Sequence, residues 1–439
     1  MFATDMVSAI RDGHITSRKI VGSCLERIEA DAALAVWVHV DAEGALARAD
    51  ECDRLRQSGR PLGRLHGVPV GLKDIIDVAG MPCECGAAVM AGRVPETDAR
   101  LVEALRAEGA VIIGKTVTTE LAFMQAAATR NPVNPAHTPG GSSSGSAAAV
   151  AAGHVPLAVG SQTNGSMIRP ASFCGTFAIK PTAGIISRTG VLATSGTLDQ
   201  MGVFGQSLED IGLLCDVLGG YDQRDPASYA RPRPGMRAGA AAEVPIEPNF
   251  LWFDMPYFDR LTPAARDGME ELLGALGDQV ERIDAAESFA GFIAAQKIIH
   301  GHEYASLLGW IVDESPEGVS PGISQKSQDA IALGRTYGQD AYDEAQEMRR
   351  QAMAFFATLF TEFDAVISPA ALGEAPLFEE GTGDPICQTI FTLAGLPAVT
   401  LPLLVGDRDL PIGVQLAGGA EEDDRLLRTA NWMLTALAE

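Results

Sequence analysis

The sequence predicts an α/β protein, a largely buried sheet layered with helices. Two observations carry that expectation. A helical run over 98–108, with Leu101, Val102 and Leu105 on one face, stops at Gly109 and gives way at once to Val111-Ile112-Ile113. The alternation returns around Leu157–Val159 and Phe177–Ile179. Short apolar runs without polar alternation read as strands covered on both faces.

The elements follow in order. The first 30 residues read as two helices: Met6, Val7 and Ile10 end at Gly13, then Ile20, Val21, Cys24, Leu25 and Ile28 recur at helical spacing. From Tyr221 to Asn249 proline, arginine and small residues dominate, which reads as a surface connection. Residues 262–360 look mostly helical, with amphipathic runs at Met269–Leu276 and Met348–Phe360. Strands return at Ala365–Ile367, Ala398–Leu401 and Ile412–Leu416, and a closing helix carries Leu426, Leu427, Ala430, Met433, Leu434 and Leu437. The expected organisation is a single domain over 1–439: a core of 58–205 and 362–439, with a variable, mostly helical section over about 220–360.

Composition excludes classes. The chain has 439 residues, 46% apolar and 21% charged, which is a globular balance long enough to bury a core without staples. Lys and Arg total 33 against 57 Asp and Glu, a formal charge of −24. Such a surface repels phosphate backbones and anionic lipid, so neither nucleic acid nor membrane is expected as a partner. No stretch reaches 18 uninterrupted apolar residues, and the N-terminus lacks the apolar core of a secretory signal. Seven scattered cysteines suit reduced thiols and a cytoplasmic location. Cys83-x-Cys85 is too short for a zinc or redox knuckle, and His300-x-His302 would point to different helix faces. Both read as structural, and no metal is expected.

Three segments carry chemistry. Thr138-Pro139-Gly140-Gly141-Ser142-Ser143-Ser144-Gly145-Ser146 opens an Ala-rich helical stretch. A flexible linker is one reading; a loop presenting N–H groups and hydroxyls to one point is the other. Gly141-Ser142-Ser143-Ser144-Gly145 also fits the nucleophile-elbow pattern with Ser143, but prolines stand where the elbow needs a strand. Next, Ser166 follows strand Leu157–Val159 at a tight turn, and the N–H groups of Thr163, Asn164 and Gly165 could cradle an oxyanion. Finally, Lys73 sits among apolar residues in Gly67–Asp77. Burial lowers a lysine pKa and makes it a candidate base; an ion pair with Asp74 or Asp77 is the equal alternative.

Together these segments resemble the amidase signature family. The resemblance rests on Gly67-Val68-Pro69 leading to Lys73-Asp74, on Pro139–Ser143, and on Gly165-Ser166 with Cys174-Gly175 and Lys180-Pro181-Thr182 behind it. Gly395-Leu396-Pro397-Ala398 and Leu410–Leu416 look like the family's closing strands. The resemblance implies a central mixed sheet flanked by helices on both faces. It implies a Ser–cis-Ser–Lys triad: Ser166 as nucleophile, Ser142 as bridge with a cis bond before it, Lys73 as base. An acyl-enzyme would form and be cleared by water, with no cofactor.

Two departures bear on substrate. Asn164 stands where the family often has glycine, and Arg169 stands three residues after the nucleophile rather than two. That spacing resembles malonamidase-type amidases acting on small acidic amides. Arg169 is therefore a candidate carboxylate clamp, or else neutralises an acid such as Asp199. Phe123 and Met124 are candidate pocket walls, with core packing the alternative. The expected function is hydrolysis of small linear amides rather than peptide bonds, with carbamates and esters open to the same machinery. The alternatives are a protein like the amidotransferase component that feeds ammonia to a tRNA-bound substrate, or a non-catalytic scaffold of this fold. The expected partner is a small amide; a homodimer is left open.

Overall fold

The computed structural model describes residues 1–316 and 319–438. Its strands are β1 (Trp37–Val40), β2 (Pro69–Lys73), β3 (Val111–Thr116), β4 (Leu157–Gln162), β5 (Phe177–Lys180), β6 (Gln200–Gly205), β7 (Phe250–Asp254), β8 (Val280–Asp284), β9 (Ala365–Pro369), β10 (Ala398–Val405) and β11 (Pro411–Ala417). They form one sheet in the order β1-β3-β2-β4-β6-β5-β10-β11-β9-β7-β8. Pairing is mixed. β2 runs parallel to β3 and β4, and β7 runs parallel to β8 and β9. The strands from β4 through β6, β5, β10 and β11 to β9 pair antiparallel.

Both faces of the sheet are covered, as the strand texts predict. Along β4, Leu157 and Val159 pack into a cluster with Leu101, Leu105, Ile211 and Leu214. Ala158, pointing the other way, joins Ala147, Ala148 and Val150 of helix Ser144–Ala151. That helix carries small residues because the backbone behind it is close. A Cβ on Gly145 would stand 2.4 Å from Val117 N and 2.5 Å from Val36 O. The Gly/Ser-rich segment is thus no linker; Thr138 to Val150 are all buried.

The section read as helical holds Pro263–Leu276, Ala286–Leu308, Gln325–Arg335 and Gln339–Leu359. It also supplies β7 and β8, which extend the sheet at one edge. β7 is an unbroken apolar run, Phe250-Leu251-Trp252-Phe253. β8 escaped the pattern because it is an edge strand, with Glu281, Arg282 and Asp284 turned to solvent. Among the described residues no helix is long and apolar enough to cross a membrane.

Candidate active site

Lys73 is the last residue of β2 and is wholly buried. The acids beside it in sequence are occupied elsewhere. Asp74 pairs with buried Lys115 at 3.0 Å, and Asp77 pairs with Arg93 at 2.6 Å. Among the described residues Lys73 Nζ therefore bonds only hydroxyls, Ser142 Oγ at 2.6 Å and Ser161 Oγ at 2.8 Å. Burial pulls its pKa down to about 7, opposed in part by the charge of Asp199. The ion-pair reading of Lys73 is excluded by these partners.

Ser142 is buried and its bond to Gly141 is cis. Ser143, the elbow candidate, is equally buried, and its hydroxyl donates to Ser161 O, away from any cavity. The segment 141–143 lies against 167–169. Arg169 Nη2 donates to Gly141 O at 2.5 Å, and Ser143 Oγ lies 3.7 Å from Met167 Sδ.

The turn carrying Ser166 links β4 to helix Ile168–Cys174. Gln162 holds it from within. Its Oε1 accepts from the N–H groups of Met167 and Ile168, at 2.9 and 3.1 Å, and its Nε2 donates to Thr392 Oγ1 at 2.9 Å. Thr392 Oγ1 in turn donates to Asn164 O at 2.6 Å. Thr163 Oγ1 donates to Asp199 at 2.6 Å. Gly165 is required by close approach, since a Cβ there would lie 2.4 Å from Gln388 Oε1. With the turn so held, the backbone N–H groups of residues 163–166 donate to no other group among the described residues. Ser166 Oγ likewise has no partner within the chain among those residues.

These groups face a cavity of about 220 Å³. Thr163, Asn164, Gly165, Ser166 and Arg169 form one wall, with Phe123 and Met124 beside them. Phe123 also stacks on Tyr304, ring centroids 4.6 Å apart. Arg169 does not neutralise Asp199, whose oxygens are taken by Thr163, Thr194 and Ser195. Its guanidinium is instead held by the carbonyls of Gly383 and Gly141, and its Nε has no partner. Burial lowers its pKa to about 10, so it stays charged at neutral pH.

Sequence reasoning missed the opposite wall. Gln296, Lys297, His300 and Tyr304 reach the cavity from helix Ala286–Leu308. Their signal was a polar stripe in an otherwise apolar helix. His302, by contrast, points away and donates to Tyr337 O at 2.9 Å. Cys83 and Cys85 are buried and free. Among the described residues no cluster of three or more His, Cys, Asp or Glu is placed to hold a metal ion.

Comparison with known proteins agrees with this architecture. The family model described as Amidase matches residues 19–427. The chain belongs to the amidase signature family. The A subunit of glutamyl-tRNA(Gln) amidotransferase from Cupriavidus necator is 32% identical over 98% of this chain and 96% of its own length. Its counterpart in Streptomyces coelicolor is 32% identical over 100% and 96%. Among solved structures, a protein from a vestigial complex bearing on the origins of an s-triazine catabolic enzyme superposes with TM-score 0.92. It is 28% identical and covers 99% of this chain and 98% of its own. A peptide amidase from Stenotrophomonas maltophilia gives TM-score 0.80 at 25% identity, covering 99% and 96%.

These relatives correct one expectation. The charge of −24 argues against nucleic acid as a partner, yet both curated relatives belong to an amidotransferase named for glutamyl-tRNA(Gln). Net charge describes one chain's average surface, and an assembly can meet RNA through other chains.

Proposed function

We propose that the chain cleaves the C–N bond of a carboxamide through an acyl-enzyme on Ser166. The observations that carry this are the buried Lys73, which among the described residues has no carboxylate partner and bonds only the hydroxyls of Ser142 and Ser161, and the free N–H groups of residues 163–166, which follow Ser161 in the chain. A neutral amine has one lone pair and two N–H bonds. It can accept the Ser142 hydroxyl proton while donating to Ser161. Ser142 then takes the Ser166 proton as Ser166 Oγ attacks the amide carbon. The oxyanion would be received by the N–H groups of Thr163, Asn164, Gly165 and Ser166. The proton returns through Ser142 to the departing nitrogen, and water clears the ester by the same path. Arg169 is assigned to a polar or anionic part of the substrate, and Phe123 and Met124 to its walls. Linear amides are the assigned substrates, with carbamates open to the same steps. Seven free, buried cysteines support a cytoplasmic setting.

A second reading concerns where the amine goes. The curated relatives, matched along 96% of their own length, favour an amidotransferase component that passes ammonia to a tRNA-bound substrate. A hydrolysis screen of neutral amides, acidic amides, glutamine, ureas and carbamates separates the two. Turnover by the chain alone supports the free hydrolase; turnover of glutamine only with co-purifying partner chains and tRNA supports the amidotransferase. Ser166→Ala and Lys73→Ala should each abolish turnover with the fold intact. Parent-level activity in Ser166→Ala would overturn the assignment.

A further inference from the structure

One carboxylate ties two walls of the cavity together. Glu120 opens the short turn Glu120–Ala122 that follows β3. Its oxygens accept from the Ser324 N–H at 2.9 Å, from the Ser324 hydroxyl and from the Ser327 hydroxyl. Among the described residues its carboxylate bonds only these donors. They cap helix Gln325–Arg335, whose N-terminal dipole also favours a negative charge. Beyond Glu120 the chain brings Ala122, Phe123 and Met124 to the cavity, and from the other side the helix brings Ala330 and Leu333. Glu120 does not itself line the cavity.

The turn is held against the preference of its own backbone. Leu121 and Ala122 lie at φ of 49° and 55°, in the left-handed region that L side chains disfavour. Two such residues in succession persist only where their surroundings fix them. Leu121 is wholly buried, and its N–H donates to Cys85 O at 2.8 Å. Thr119 Oγ1 donates to Phe123 O at 2.6 Å, and the Thr119 N–H donates to Ser142 O at 3.2 Å. The wall is thus joined to Ser142 on one side and, through Glu120, to helix Gln325–Arg335 on the other. Lys326 Nζ adds a longer contact to Met124 O at 3.5 Å.

We propose that Glu120 is a positioning residue that sets the width of the cavity, pinning the Phe123–Met124 wall to helix Gln325–Arg335 and so selecting slender, short-chain amides. The proposal rests on amide cleavage at Ser166 and adds what limits substrate size. At about 220 Å³ the cavity falls below the ~300–1,000 Å³ of drug-sized sites. Without Glu120 the turn relaxes toward ordinary φ and the two walls part. The carboxylate touches no reacting group, so its loss acts on binding.

The test compares butyramide with 4-phenylbutyramide, which share the amide and differ in bulk. In the parent, butyramide should lead in kcat/KM by about ten-fold. In Glu120→Ala its KM should rise about five-fold with kcat nearly kept, while 4-phenylbutyramide improves, so the lead collapses. Ser324→Ala with Ser327→Ala, made with Glu120 in place, should shift the preference the same way, and adding Glu120→Ala should then change it by less than about two-fold. A mere loss of stability would slow both amides alike. A parent that favours the bulkier amide, an unchanged preference in Glu120→Ala, or effects of the two changes that simply multiply would each overturn the proposal. If Glu120→Ala does not fold, the serine pair decides by shifting the preference or leaving it unmoved. Binding separates this proposal from the cleavage reading. In the Ser166→Ala chain, adding Glu120→Ala should tighten 4-phenylbutyramide binding by about five-fold, read by NMR titration. That gain without turnover of any amide by the parent would overturn cleavage at Ser166 and leave the role of Glu120 standing. Turnover by the parent without that gain would do the reverse.

Discussion

Lys115 holds Asp74 at 3.0 Å inside the protein, and that pair leaves Lys73, among the described residues, with hydroxyls alone. β2 and β3 run parallel here, with Lys73 opposite Thr116 and Leu72 opposite Lys115. The ion pair is therefore built into the strand register, one residue away from the candidate base. Neither Lys115 nor Asp74 is exposed, so removing one partner strands the other's charge. Lys115→Met should cost about 3–5 kcal/mol of stability, read by urea unfolding at pH 7. A loss under about 1 kcal/mol would show that the interior tolerates a lone Asp74 carboxylate.

The pH dependence follows from Lys73. As the proposed base, Lys73 must be neutral to accept a proton, and burial brings its pKa to about 7. Activity should rise with pH and be half-maximal near 7, whereas an ordinary lysine would delay that rise to about 10.4. Stability moves in the same direction. Between about 7 and 10.4 the unfolded lysine is protonated and the native one is not, so stability increases with pH through that window. Lys73→Met should remove up to about 1.36 kcal/mol per pH unit from the slope of unfolding free energy over that window. Lys180, buried and lowered to about 7 by the same desolvation, keeps the slope from vanishing. An unchanged slope in Lys73→Met would mean that Lys73 is charged in the native protein.

The legible part of the site was its local text. Lys73, Ser142 and Ser166 each stand in a short segment whose turn residues and apolar flanks expose the chemistry, and β2 and β4 formed where their apolar runs place them. What was hidden depends on tertiary contact. Gln296, Lys297 and His300 lie on a helix packed against helices Gln325–Arg335 and Gln339–Leu359, and its polar stripe does not say which segment of the chain it will face across the cavity. The choice between Arg169 neutralising Asp199 and Arg169 facing the cavity could not be read either. Thr194 and Ser195 reach Asp199 through a tight turn, and those bonds leave no vacancy for a guanidinium. β8 was hidden because solvent on one side gives an edge strand charged residues.

Gln162 offers a test of how the turn is held. Its amide satisfies two N–H groups at the start of helix Ile168–Cys174 and the hydroxyl of Thr392. Gln162→Leu keeps the volume and leaves the two N–H groups unpaired, while the Thr392 hydroxyl still donates to Asn164 O. Each buried orphan costs about 1–3 kcal/mol, so the melting temperature should fall by several degrees. The turn should also loosen, lowering kcat by about ten-fold or more with a smaller change in KM. Parent-like kcat in a destabilised variant would show that Gln162 supports the fold without positioning Ser166.

Gly165 separates crowding from chemistry. Its missing side chain lets the turn pass Gln388 and Pro385, where a Cβ would stand 2.4 Å from Gln388 Oε1 and 2.9 Å from Pro385 Cβ. Gln388 cannot simply retreat, because its Nε2 donates to Ala370 O at 2.7 Å and it is fully buried. The proline ring is stiffer still. Gly165→Ala must therefore move the turn, at a cost of about 1–3 kcal/mol for overpacking. The displaced N–H groups sit beside Ser166, the proposed nucleophile, and misplacement by about 1 Å can cost on the order of 100-fold in rate. The expected outcome is a folded protein with kcat down about 100-fold. Gln388→Ala in the same chain opens space on one side and should restore part of that loss. Failure of the double variant to regain any activity would place the obstruction at Pro385.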